Sequence, residues 1–169
     1  MNITLHILVL NSLKSLLEEL TTPAFNKPNK MLSEASIGQH FRHIIEFYQC
    51  CLFDNKNGIV NYDQRKRTKT LEEDTKEGIQ AITKVIDALT AMDFSENKEF
   101  HFCGDVTQQN NGSVYIKSTL FRELIYCMDH CIHHQSLIKI ALIEQNLVHL
   151  IDADFGVAFS TLAYRKKCV

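Results

Sequence analysis

Two histidines, His130 and His134, stand four residues apart in the run Cys127–Met128–Asp129–His130–Cys131–Ile132–His133–His134–Gln135. Four residues of α-helix make slightly more than one turn, so the two imidazoles lie one above the other and can grip one metal ion from the same side. His133 points about a quarter-turn away from His134 and is the less natural partner. This is the i, i+4 pair of helical zinc sites, without the Glu that follows the first His in metalloproteases. Cys131 holds that place. Pairs at this spacing also occur solvated or packed, so the surroundings matter. Here they are apolar: Leu124, Ile125, Met128, Ile132, Leu137, Ile138 and Ile140. A buried imidazole needs partners for its ring nitrogens. A second histidine-bearing helix can supply one through a shared ion.

The elements that must hold such a site follow from the apolar periodicity. The stretch from about Thr119 to Asn146 has no Gly or Pro and reads as one long helix. A first helix spans about Ile3 to Leu20, and a loop holding both prolines follows. A second helix begins near Ser33 or Ser36 and runs to about Leu52. Along it His40, His43 and Glu46 recur every three residues, and Cys50 extends that stripe. Such a stripe either faces solvent or lines an interior site. Asp54 to Gly58 is a turn, and 59–67 reads as loop with short helical turns. A third helix covers about Thr70 to Met92. Phe100–Cys103 and Val114–Lys117 alternate around Asn111–Gly112, a hairpin signal. Ser118 or Thr119 caps the long helix. Gly156 marks a bend, and Ser160 or Thr161 opens one last short helix. Four long amphipathic helices predict an all-α fold: an up-and-down four-helix bundle, with a small β-hairpin insertion before the last long helix, in a single domain over 1–169.

The bulk numbers narrow the function. A formal net charge of -2 over 169 residues gives no electrostatic case for nucleic acid or an anionic membrane. The basic cluster Arg65–Lys66–Arg67 with Lys69 is followed at once by Glu72, Glu73 and Asp74, a mixed-charge surface. The 6 cysteines form no CxxC pair. Cys50 and Cys51 are adjacent, which suits reduced thiols in a cytoplasm better than a disulfide framework. No apolar run reaches the roughly 18 residues of a membrane span, and the N-terminus lacks a basic start and a cleavage site. A cytoplasmic protein is expected, with no nucleic-acid or membrane partner.

Metal sites in helix bundles are built from facing helices. His40 and His43 on the second helix are the best-placed sources of a third ligand. His6 is near the terminus, and His101 and His149 fall in expected strand or loop. Three neutral imidazoles suit zinc, nickel or iron. Three protein ligands also leave a coordination position open, as catalytic sites do. Glu46 lies three residues after His43, and Glu123 and Cys127 lie seven and three before His130. Each can be a base, a fourth ligand or a hydrogen-bond partner of an imidazole. Cys127 reads equally as a small core residue, and Glu123 as a surface or ion-paired one.

The segment from Ser36 to Tyr48, Ser-Ile-Gly-Gln-His-Phe-Arg-His-Ile-Ile-Glu-Phe-Tyr, resembles helix two of the DinB-like metal-binding four-helix bundles. Members place a His there, followed by aliphatics and often an acidic residue. His130 to His134 matches the family's His-x-x-x-His on a later helix. Tyr62–Arg65 and Phe155–Thr161 are similar to loop motifs of one branch. The resemblance covers most of the chain in the family's order. By position it implies His43, His130 and His134 as ligands, with His40 competing for the first place and His133 beside the ligands or on the surface. It further implies a metal-dependent thiol S-transferase or hydrolase, acting with a low-molecular-weight thiol or another small-molecule substrate, and a homodimer. The family's Arg-Gly-Gln is replaced here by Gln135–Ser136–Leu137, so the substrate side departs from the pattern. The competing class is non-catalytic: a bundle with a structural metal, or a dimeric stress-related protein. A fourth protein ligand would mark the structural site, and an accessible open position the enzyme.

Overall fold

The computed structural model describes residues 1–105 and 113–167. In chain order it contains α1 (Thr4–Glu19), α2 (Thr22–Asn26), α3 (Ile37–Leu52), β1 (Ile59–Val60), α4 (Thr70–Glu73), α5 (Thr75–Ala91), β2 (Glu99–Asp105), β3 (Ser113–Thr119), α6 (Leu120–Glu144) and α7 (Phe159–Lys167).

Each long helix has a local cause. In α1, Val9, Leu10, Leu13, Leu16 and Leu17 repeat at helical spacing and are buried. At the start of α3 the Ser36 side chain accepts from the Gln39 N–H and the Gln39 side chain accepts from the Ser36 N–H, a reciprocal capping box. Thr119 caps α6 by accepting from the Arg122 N–H at 3.3 Å. The four long helices pack on one another, α3 against α5 and α6, and α1 against α5 and α6. Gly78 of α5 sits where this packing is tightest. A Cβ there would come within 2.7 Å of Leu17 Cδ2 and 3.0 Å of Phe41 Cε1. Any side chain would push three helices apart, which accounts for glycine inside a helix despite its cost.

The all-α four-helix bundle is overturned. The described residues form seven α-helices with a three-stranded mixed sheet, ordered β1-β2-β3, an α and β mixture. The hairpin strands do pair antiparallel, from Glu99 with Thr119 to Asp105 with Ser113. The expected Asn111–Gly112 turn lies outside the described residues. The third strand, β1, falls in a stretch expected to be loop. It pairs parallel to β2 through Ile59 with His101 and Val60 with Phe102. Two residues are too few to show alternation, so no sequence period announces them. A parallel neighbour needs a long crossover, and α4 and α5 provide it. The expected third helix is in fact these two pieces, broken at Asp74, whose backbone is extended (φ -128, ψ 116). Its carboxylate accepts from the Lys76 N–H at 2.8 Å and starts α5 afresh. The proline loop carries the short α2, with Pro23 in its first turn.

The C-terminal segment returns along α6. Gly156 has φ +71, and a Cβ there would meet the Ser136 backbone nitrogen at 2.6 Å, so the bend and the close approach both require glycine. Cys50, Cys51, Cys103, Cys127 and Cys131 are buried free thiols. Among the described residues, no helix is long and apolar enough to cross a membrane.

Candidate metal centre

The packing of α3 on α6 brings two histidine pairs face to face. His43, His130 and His134 each offer a ring nitrogen within 4.8 Å of the other two. His43 Nε2 and His130 Nε2 are 2.9 Å apart. Ring centroids lie 4.9 Å apart for His43 and His130, 4.6 Å for His43 and His134, and 4.5 Å for His130 and His134. All three side chains are half-buried.

His40 sits one turn before His43, and its Nδ1 is 2.9 Å from His134 Nδ1. That contact engages the δ nitrogen of His134 and leaves its ε nitrogen. His40 Nε2 is buried without a hydrogen-bond partner among the described residues. His133 is exposed. Its ring centroid is 5.2 Å from that of His134 and 6.3 Å from that of His130.

Burial first, and then crowding by like groups, holds these rings neutral. His43 is pushed down to about 3 by burial, His130, Arg65, His40 and Arg42. His130 falls to about 4 through burial, His133 and Arg65. His134 falls to about 2 through burial and the four neighbouring imidazoles. Burial and His133 lower His40 in the same direction. A cluster that rejects protons keeps its lone pairs for another cation. The three ring nitrogens could therefore hold a metal ion.

The walls are aromatic. Phe47, one turn after His43, stacks on His130 at 4.2 Å and on Tyr62 at 4.6 Å. Tyr126 lies 5.7 Å from His130. Arg65 caps the Phe47 ring, its Cζ 5.9 Å from the centroid.

The three further donors on these helices are turned elsewhere. Glu46 is buried and accepts from the Thr68 N–H at 2.5 Å. Its second oxygen faces Arg65 Nε at 3.5 Å and Arg42 Nε at 3.8 Å, ion pairs longer than hydrogen bonds. Arg42 also pairs with Glu72. Glu123 is completely buried. It accepts from Tyr62 Oη at 2.7 Å, Ser118 Oγ at 2.5 Å and Arg122 Nη1 at 2.9 Å. Cys127 is also buried, its sulfur 3.8 Å from Tyr62 Oη. Burial, and then Cys51 beside it, raises its thiol well above the ordinary range, so it stays protonated and makes a poor ligand. His6, His101 and His149 stand apart from the cluster. His6 is buried against Tyr48, with Nδ1 3.2 Å from the hydroxyl. His101 lies 3.7 Å from Glu99 on β2.

The pairing of His40 with His134 was not separable in sequence from ligation by His40. The available signal was the doubling itself, one pair spaced by three residues and one by four. It says that the helices face each other, but leaves open which nitrogens meet.

No family model matches the chain, and no solved structure matches it. A curated protein named FK506-binding protein 5, from Rhizopus delemar, is 33% identical to it over 112 residues. The aligned region is 64% of this chain and 28% of that protein, so the chain spans less than a third of the relative's length.

Proposed function

We propose that this protein binds one divalent metal ion through His43, His130 and His134, and acts on a small molecule there as a DinB-like thiol S-transferase or hydrolase. The observation that carries the reading is the convergence of three half-buried ring nitrogens from two helices within 4.8 Å. When bound, the ion would supply Lewis acidity, which lowers the pKa of a thiol or water. The other tasks belong to the chain. With the proton of His134 on Nδ1, that N–H donates to His40 Nδ1, which would leave the ε lone pair of His134 for the metal and fix the ring. Phe47 stacks on His130 and Tyr126 lies beside both rings, which fixes the orientation of the imidazole.

The enzymatic reading is favoured over a structural ion by the fate of the other donors. Closing the coordination sphere needs a fourth ligand. Glu46 and Glu123 are committed to hydrogen bonds and ion pairs, and Cys127 is held as a thiol. Cytoplasmic residence and a homodimer belong to the same proposal and rest on the family resemblance and the free thiols.

Metal analysis of the purified protein tests the site. One equivalent of zinc, nickel or iron per chain is expected, and His130→Ala should abolish stoichiometric binding. Full occupancy in that variant would remove the assignment. A screen of low-molecular-weight thiols against electrophiles then separates transfer from hydrolysis.

A further inference from the structure

Arg122, Tyr126, His130 and His134 follow one another at four-residue spacing on α6, so they form one stripe. The Arg122 Cζ lies 5.1 Å over the Tyr126 ring, and that ring lies 5.7 Å from His130. At the Arg122 end the stripe opens into a cavity of about 500 Å³ between α6 and the β2–β3 pair. Phe102, Ile116 and Tyr126 give it apolar walls, and Lys117 and Arg122 give it cations. Ile116 is 49% exposed and Tyr126 36% exposed. An apolar surface open to that degree between two cations suits a bound molecule better than bulk water.

The charge is cancelled only in part. Glu123 also borders the cavity, but it is buried and its oxygens are taken by Tyr62, Ser118 and Arg122. Asp63, the other carboxylate felt at Tyr126, accepts from the Asp105 N–H at 3.0 Å. Lys117 makes no ion pair among the described residues, and Arg122 is 60% exposed beyond its bond to Glu123. Glu123 offsets the charge of Arg122, and Lys117 is left as the cation that the cavity presents to solvent.

Eight helical residues separate Arg122 from His130, about 12 Å along the axis. A molecule anchored at Arg122 and lying over Tyr126 points its other end at the histidines. We propose that this cavity binds the anionic far end of the small-molecule substrate: a carboxylate joined by an apolar stem to the thiol or electrophilic group that reaches His43, His130 and His134. The anion itself would be held by Arg122 and Lys117 through charge-assisted hydrogen bonds. This inference rests on the metal-site reading for the reacting end, whereas the anion subsite stands on the cavity alone.

Two measurements on the full chain separate those parts. The first uses metal-free protein with two fluorescent probes, anilinonaphthalene sulfonate and the uncharged N-phenyl-naphthylamine. The sulfonate should bind about tenfold more tightly, and Lys117→Gln or Arg122→Gln should each remove most of that preference while leaving the neutral probe unchanged. Lys117→Gln breaks no ion pair and remains readable if Arg122→Gln unfolds. Equal affinity for the two probes, or indifference to Lys117→Gln, overturns the anion subsite. The second titrates cobalt-loaded protein with ω-mercapto carboxylic acids of increasing length and with their methyl esters, reading the thiolate-to-cobalt absorption. An affinity optimum at intermediate length is expected for the acids, absent in the esters and in Lys117→Gln. A flat length profile overturns the link between cavity and histidines. Failure of cobalt to bind at all sinks the metal reading, and the probe experiment still decides the cavity.

Discussion

On the facing sides of α3 and α6, two groups of metal-loving side chains lie one to two helical turns apart and differ in what occupies their lone pairs. His43, His130 and His134 are half-buried, with ring nitrogens converging on one point. Glu46, Glu123 and Cys127 are buried more deeply, and each is already engaged: Glu46 by Thr68 and two arginines, Glu123 by Tyr62, Ser118 and Arg122, Cys127 by Tyr62 and Cys51. Residue type therefore does not define the centre. A carboxylate held by short hydrogen bonds and flanking arginines is a structural anchor, whereas an imidazole crowded by other imidazoles is a ligand in waiting.

The sharpest way to break this contrast is to exchange one member of each group for alanine. His43→Ala should lose stoichiometric metal binding, and Cys127→Ala should keep it, with a loss of only about 1 kcal/mol in urea unfolding. Metal loss in the Cys127 variant would put the thiol in the centre. Next in size is Glu123→Ala. It strands Tyr62 and Ser118 in the core and should cost about 3 kcal/mol of stability, measured by denaturant titration, with metal content per folded chain unchanged.

His6 supplies a third environment, a ring buried without a metal role. Burial depresses it from 6.5 to about 4 in the folded state. Between those values the unfolded chain binds more protons than the folded one, so stability rises with pH across that window. It is complete above pH 6.5 and falls as pH drops toward about 4, at up to about 1.4 kcal/mol per pH unit. Acid titration of unfolding free energy for the metal-free protein should show this on top of the like-signed contributions of His43, His130 and His134, and His6→Gln should remove only its own share of the slope. The smallest effect concerns His40. His40→Gln should keep one metal per chain but weaken binding roughly ten- to hundredfold, the usual consequence of losing the partner of a ligating imidazole. Loss of stoichiometric binding would instead make His40 a ligand.

The long helices were legible because each carries enough turns for its apolar face to repeat, as Leu10, Leu13 and Leu17 do in α1. The facing histidines were legible for the same reason, since spacing on a helix is direction in space. The fold class was misread because β1 is two residues long, and its pairing with β2 is set by a partner about forty residues away in sequence. The break at Asp74 has a local signal, an Asp able to cap the next turn, but the apolar period running through 71–89 outweighs it. The fates of Glu46 and Glu123 could not be read at all. They depend on where 61–68 is laid down, and that follows from the sheet rather than from either helix.

That short passage of chain has a mechanical meaning. It leaves the sheet at Val60, turns through Asn61, whose side chain accepts from the backbone N–H of Asp63 and Gln64, and then ties Tyr62 to α6 and Arg65 and Thr68 to α3. It works as a guy-rope with one peg in the strands and two in the helices. Slackening at the strand end would release Glu46 from Thr68 and Arg65 and take Tyr62 from Glu123, which Ser118 and Arg122 would still hold. The small sheet that breaks the expected fold class thus anchors a passage of chain that ties the two histidine-bearing helices together.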